Sequence, residues 1–145
     1  MGSVAAFSAF AALPFLALTS SEEVHVFKSR TCGCCGAWVR HMKSAGFAVK
    51  VTDVDDTAAE RKRLGMPERF GSCHTATVDG YALEGHVPAT EVKRLLVAGT
   101  KAIGLAVPSM PIGSPGMELG ARKDPYQVLL IDLSGGASVY ASYPR

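Results

Sequence analysis

The stretch TCGCCGAWVRHMK (31–43) places three cysteines, Cys32, Cys34 and Cys35, in four positions. Sulfur at this density points to two kinds of chemistry. Cys32 and Cys35 form a C-x-x-C pair, the spacing of a dithiol that trades electrons with a disulfide. Cys34 complicates clean exchange, because it offers competing disulfides. For a soft, thiolate-seeking ion it is an advantage, since three sulfurs can converge on one point. Gly33 and Gly36 leave the backbone free to bend and to be approached. A fourth cysteine, Cys73, lies in SCHTATVDGY (72–81).

Ligand softness narrows the choice of ion. Four thiolates satisfy tetrahedral zinc, but the crowded C-x-C-C run is not a pair of separated C-x2-C knuckles. Adjacent cysteines reach one tetrahedral centre only with strain. An iron–sulfur cluster also takes four cysteines, yet this spacing matches neither common ferredoxin run. Cu(I) accepts two- or three-coordinate thiolate sites and lets sulfurs bridge between ions, so one or more Cu(I) ions suit these residues best. Met110 and Met117 add soft thioethers in the Pro/Gly-rich run PSMPIGSPGM, where a packed core gives them no obvious place. His86 in EGHVP and His74 beside Cys73 are the histidines able to join such a site. His25 in a strand and His41 on the wet face of a helix read as bystanders.

These groups must be positioned by the elements around them. EVHVFKS (23–29) alternates as a strand. From Cys35 the positions Trp38, Val39, Met42 and Ala45 make the stripe of an amphipathic helix, with Arg40, His41 and Lys43 on its polar side and Gly46 as its stop. FAVKVTDV (47–54) is a second strand. Thr57 and Glu60 have capping-box spacing for a short helix ending at Gly65. TATV (75–78) is a third strand, and DGYALEG after it is a turn and a return. Pro88 opens another helix that buries Val92, Leu95 and Leu96 and closes at Gly99. Residues 104–125, with four prolines and four glycines, read as a long loop. A hairpin around Ser134-Gly135-Gly136 ends the chain.

This order predicts an α/β fold: a thioredoxin-like three-layer sandwich with a mixed central sheet and a long Pro/Gly/Met loop before the C-terminal hairpin. A helix N-terminus beneath Cys32 carries unpaired N–H groups and a partial positive charge, which lower a thiol pKa. In that layout Cys73 precedes the third strand, opposite the cysteine run, with His74 where thioredoxin-like proteins carry a proline. Four sulfurs would then face one cavity.

The chain has 145 residues, 48% of them hydrophobic, with 15 basic and 13 acidic side chains. That is the size of one domain with a core of its own. The scattered, nearly balanced charge argues against nucleic acid and against a basic membrane-binding face. The first twenty-one residues carry no charged side chain and end in ALTSS. They resemble the apolar core and cleavage region of a signal peptide without its cationic start. The run is broken by Pro14 and is short for a membrane span. The expected division is a targeting-type segment at 1–21 and a thioredoxin-like metal-binding domain at 22–145, exported to the periplasm.

CGCCGAW, SCHTA, GYALEGHVPA, GLAVPSMPIGSPGME and YQVLLID, in that order, resemble the CopG-like family, long filed as a domain of unknown function. The resemblance runs from about residue 23 to 142. It implies a periplasmic, thioredoxin-like protein linked to copper resistance, with a copper-binding or copper-redox role beside other periplasmic copper-resistance proteins. The family's cysteine motif falls on Cys32, Cys34 and Cys35, its SCHT cysteine on Cys73, its EGHVP histidine on His86 and its SPGM methionine on Met117. The leading expectation is a Cu(I)-handling protein using these six residues, with Cys32 and Cys35 as a redox-active pair. Two alternatives stand beside it: a thiol–disulfide oxidoreductase acting on proteins through Cys32 and Cys35, and a non-enzymatic zinc or iron–sulfur module.

Overall fold

The computed structural model describes residues 22–145, and the targeting-type segment expected at 1–21 lies outside the described residues. Seven strands form one mixed sheet: β1 (Glu23–Lys28), β2 (Ala48–Asp53), β3 (His74–Val78), β4 (Tyr81–Gly85), β5 (Gly104–Val107), β6 (Tyr126–Ile131) and β7 (Ala137–Tyr143). Three α-helices join them: α1 (Gly33–Ser44), α2 (Thr57–Arg63) and α3 (Ala89–Ala98). A single 3-10 turn, Glu68–Phe70, follows α2. The strand order is β2-β1-β3-β4-β5-β6-β7. The β1–β2 and β4–β5 pairs are parallel, bridged by the crossover helices α1 and α3. The other neighbours run antiparallel.

Alternation along the strands divides the core between the two faces of the sheet. Leu83, Leu105, Val107 and Val128 pack with Trp38, Val39 and Met42 of α1 and Val92 and Leu95 of α3. Their strand neighbours Ala82, Ala106 and Ile131 pack with Met66 and Phe70, which follow α2. The expected three layers are therefore present, with α1 and α3 on one face and the α2 segment on the other. Among the described residues, no helix is long and apolar enough to cross a membrane.

Several local readings need revision. The start of α1 needs none, since Cys32 is its N-cap as expected and Gly33 its first helical residue. α2 is capped by Asp56, whose carboxylate accepts the Ala59 N–H at 3.1 Å, and Thr57 is its first helical residue. Aspartate accepts that bond as well as threonine would, and one position earlier it leaves Thr57 free to take helical angles. The long loop is shorter than expected, because GLAV (104–107) is strand β5, buried at every position. His41 leaves the wet face: its Nε2 accepts the Ala89 N–H at 3.0 Å. It thereby serves the first turn of α3, whose N-cap Pro88 offers no side-chain bond.

Candidate metal and redox site

Register places the site. Lys28, the last residue of β1, pairs with His74, the first of β3. The chain leaving β1 for α1 therefore passes beside the chain entering β3. Cys32 is the N-cap of α1 in an extended conformation, and no side chain caps its first turn. Cys35 lies one turn in and is wholly buried. These two are joined in a disulfide, with Cα atoms 5.4 Å apart. Cys34 and Cys73 are free thiols, each half-buried.

The four sulfurs lie within 4.8 Å of one another. Cys34 Sγ is 3.5 Å from Cys32 Sγ and 3.7 Å from Cys73 Sγ. The expected meeting of Cys73 with the triplet is thus present, and Cys34 is the sulfur that spans the gap.

His86 approaches from the end of β4. Its Nδ1 is 2.8 Å from the Pro115 carbonyl oxygen, which can only accept, so Nδ1 carries the proton. Burial holds this histidine below its ordinary pKa, so the ring is neutral. Nε2 therefore presents a lone pair, 3.0 Å from Cys73 Sγ. A backbone carbonyl that fixes the tautomer and aims the other nitrogen is the usual outer support of a metal-binding histidine. Burial, and then the neighbouring Cys34, push the Cys73 thiol up to about 12. Without a metal it stays protonated and donates to His86 Nε2.

His74 is a contributor the sequence reading left among the residues to watch. Its ring is fully buried between Trp38, at a centroid distance of 4.5 Å, and His86, at 5.1 Å. Its Nδ1 is 3.3 Å from Cys73 Sγ. Burial, and then His86, lower its pKa to about 3. The signal available in the sequence was its place next to Cys73 in a strand whose other positions are apolar or threonine.

Of the thioethers, Met110 is 48% exposed and lines a separate cleft of about 650 Å³ with Pro108, Tyr126 and Tyr143. Met117 is half-buried. Its N–H bonds the Ser114 carbonyl at 2.8 Å, closing a turn that contains Pro115 and Gly116. Gly116 rests on the cysteine helix: a Cβ there would stand 2.7 Å from Trp38 N and 2.9 Å from Cys34 O, at a φ of +88°. The loop lies so close that only glycine fits. Gly116→Ala is expected to lift it from α1 and cost about 1–3 kcal/mol, as strained left-handed positions do. Urea midpoints test this, and an unchanged midpoint would refute the close fit.

The segment before Cys73 is held by a buried ion pair. Arg61 Nε meets Glu84 Oε1 at 2.9 Å, with the two side chains 4% and 0% exposed. Arg61 also donates to Glu68 and, at 2.9 Å, to the Ser72 carbonyl. Glu84 Oε1 accepts the Ser72 N–H at 2.7 Å. Both backbone groups of Ser72 are therefore tied to this pair, and Cys73 follows directly. His25 behaves as expected, bonding Thr52 Oγ1 at 2.8 Å away from the sulfurs.

A pH dependence follows for the metal-free protein. The pKa values of His74 and His41 are lowered in the folded state, chiefly by burial. Their stabilising contribution is therefore present above the unfolded value of about 6.5 and lost as pH falls through the folded values. The urea midpoint should drop between pH 7 and pH 4, and His74→Phe should flatten that drop. A midpoint that rises on acidification would contradict it.

Residues 70–117 match the family described as "Protein of unknown function, DUF411". Two solved structures, both titled copper resistance protein CopG (Form 2 and Form 1), are 46% identical to the chain. Each match covers 85% of this chain and 98% of the other, with TM-scores of 0.81 and 0.80. No curated protein matches the chain in sequence.

Proposed function

Because the chain belongs to the family of CopG copper resistance proteins, we propose that it binds Cu(I) through Cys32, Cys34, Cys35 and Cys73. The observation that carries this reading is the convergence of four sulfurs, from two separate segments, within 4.8 Å. Their number and softness suit Cu(I), which lets thiolates bridge ions and tolerates low coordination numbers. His86 and Met117 serve as outer or variable ligands. His86 Nε2 is aimed at Cys73, and the Met117 turn rests on the cysteine helix through Gly116.

Cys32 and Cys35 add a redox role. Closing their disulfide from the dithiol passes two electrons to two Cu(II) ions, giving two Cu(I) ions, and releases two protons to solvent. An external dithiol that is itself oxidised to a disulfide opens it again, supplying two electrons and two protons and restoring all four thiols for binding. The protein is then a copper and thiol oxidoreductase as well as a ligand. The layout supports a thioredoxin-like ancestry: a C-x-x-C disulfide at the start of α1, strand order β2-β1-β3-β4, and Cys73-His74 at the entry to β3. The uncharged first twenty residues support export to the periplasm, where copper would pass to or from other copper-resistance proteins.

Anaerobic titration of the reduced protein with Cu(I), against a competing chelator, tests the binding reading. Wild type should hold copper far more tightly than Cys34→Ser combined with Cys35→Ser, and equal affinities would end it.

The Cys32–Cys35 disulfide, with Cys32 half-exposed, also favours a second reading, thiol–disulfide exchange with protein substrates. Insulin-reduction turnover by a Cys34→Ser, Cys73→Ser variant would support it. Metal analysis and a visible spectrum of protein isolated without air distinguish zinc or iron–sulfur occupancy from copper.

A further inference from the structure

We propose that Cys73, His74 and His86 form a second metal site, which binds one divalent ion while the Cys32–Cys35 disulfide is closed. The site shares Cys73 with the Cu(I) cluster and so deepens that reading. It uses neither Cys32 nor Cys35, however, so each can fail without the other.

Three observations converge on it. The ligand atoms of Cys73, His74 and His86 lie within 4.8 Å of one another. Zn–S bonds of about 2.3 Å and Zn–N bonds of about 2.0 Å at a tetrahedral angle set sulfur and nitrogen about 3.5 Å apart. The two sulfur–nitrogen separations here are 3.0 and 3.3 Å, so an opening of a few tenths of an ångström admits an ion.

The second observation is the tautomer of His86. The Pro115 carbonyl takes its Nδ1 proton and leaves Nε2 with a free lone pair facing Cys73.

The third is the cost of His74. Its Nδ1 faces the Cys73 sulfur at 3.3 Å, and its Nε2 makes no well-formed hydrogen bond, with the Gly85 backbone as the other polar group beside the ring. A buried polar group so poorly satisfied costs about 1–3 kcal/mol. Phenylalanine would pack the same space against Trp38 without that cost. A histidine retained there is accounted for by a lone pair on Nδ1 reserved for a metal.

One sulfur and two imidazoles make a harder donor set than the all-sulfur cluster, and imidazole suits divalent copper and zinc. The two sets meet at Cys73, with Cys34 at 3.7 Å on the far side. An ion arriving as Cu(II) would be received on the nitrogen side, next to the thiolates that favour Cu(I).

Cobalt(II) is the probe. The protein is prepared with its disulfide intact, shown by a count of two free thiols, and titrated with cobalt(II). The expected result is a thiolate-to-cobalt charge-transfer band saturating at one equivalent and displaced by one equivalent of zinc(II). Cys34→Ser should keep the band and Cys73→Ser should abolish it. His74→Phe and His86→Phe should each weaken binding by about 100-fold, the upper end of what losing even an outer-shell partner costs.

Absence of the band, its loss in Cys34→Ser, or an unchanged cobalt(II) affinity in either histidine variant would overturn the site. Should a histidine variant not fold, the proton spectrum of cobalt-loaded wild type decides. Two strongly shifted exchangeable imidazole N–H resonances support the site, and fewer refute it. A negative result here beside tight Cu(I) binding by the reduced protein removes only this second site.

Discussion

Replacing Arg61 by methionine should lower the unfolding free energy by about 3–5 kcal/mol, the usual cost of stranding one partner of a buried ion pair. Glu84 is fully buried and would keep the Ser72 N–H, with the Thr75 hydroxyl beside it, as its polar neighbours. Burial already raises the Glu84 pKa against the opposing effects of the Ser72 N–H and Arg61. Without Arg61 it rises further above its unfolded value. A raised carboxyl pKa contributes stability below the unfolded value and loses it as pH rises through the folded value. The defect should therefore be smaller at pH 5 than at pH 8. Adding Glu84→Gln removes the stranded charge and should recover part of the loss. Urea unfolding at both pH values measures all three variants. A loss below about 1 kcal/mol at pH 8, within the range of exposed pairs, would contradict the account. The variant should also loosen Cys73, because Arg61 and Glu84 hold both backbone groups of Ser72.

The second large effect is on copper. Cys73→Ser in the reduced protein should weaken Cu(I) binding by about 100-fold or more, about 3 kcal/mol at 1.4 kcal/mol per tenfold change. Serine retains the small volume and a hydrogen bond to His86, but it offers a hard oxygen where a soft ion needs sulfur. Stability without metal should change little, because Cys73 is only half-buried. Chelator competition under anaerobic conditions reads the affinity, and urea unfolding of the apoprotein supplies the control. Unchanged affinity would mean that copper is held by the helix triplet alone.

The meeting of Cys73 with the triplet was legible because it follows from element order. A strand, a crossover helix and an antiparallel neighbour bring the end of β1 and the start of β3 together, whatever the intervening side chains. Strand β5 was not legible. Its four residues are buried on both faces, so GLAV lacks the alternation that marks a half-exposed strand, and prolines follow at once. His41 was misplaced because helical periodicity says which way a side chain leaves its own helix. It does not say that Pro88 leaves a neighbouring N-terminus without a side-chain cap.

The Arg61–Glu84 pair was hidden for a related reason. A charged residue in a short helix and another in YALEG each read as solvent-facing until tertiary structure joins them across 23 residues. The part of His74 in the site depended on how deeply β3 is buried, which a five-residue strand does not disclose. The Met117 reading was local to a loop. What the fold adds is the contact of Gly116 with α1, which brings that loop over the cysteines.

The most direct measurement is the copper-edge X-ray absorption spectrum of protein reduced and loaded with Cu(I) without air, paired with a thiol count on the same sample. The account predicts a Cu(I) edge, a first shell dominated by sulfur, and reactive thiols falling from four to none as copper saturates. A first shell of nitrogen and oxygen, with all four thiols still open to reagent, would contradict it.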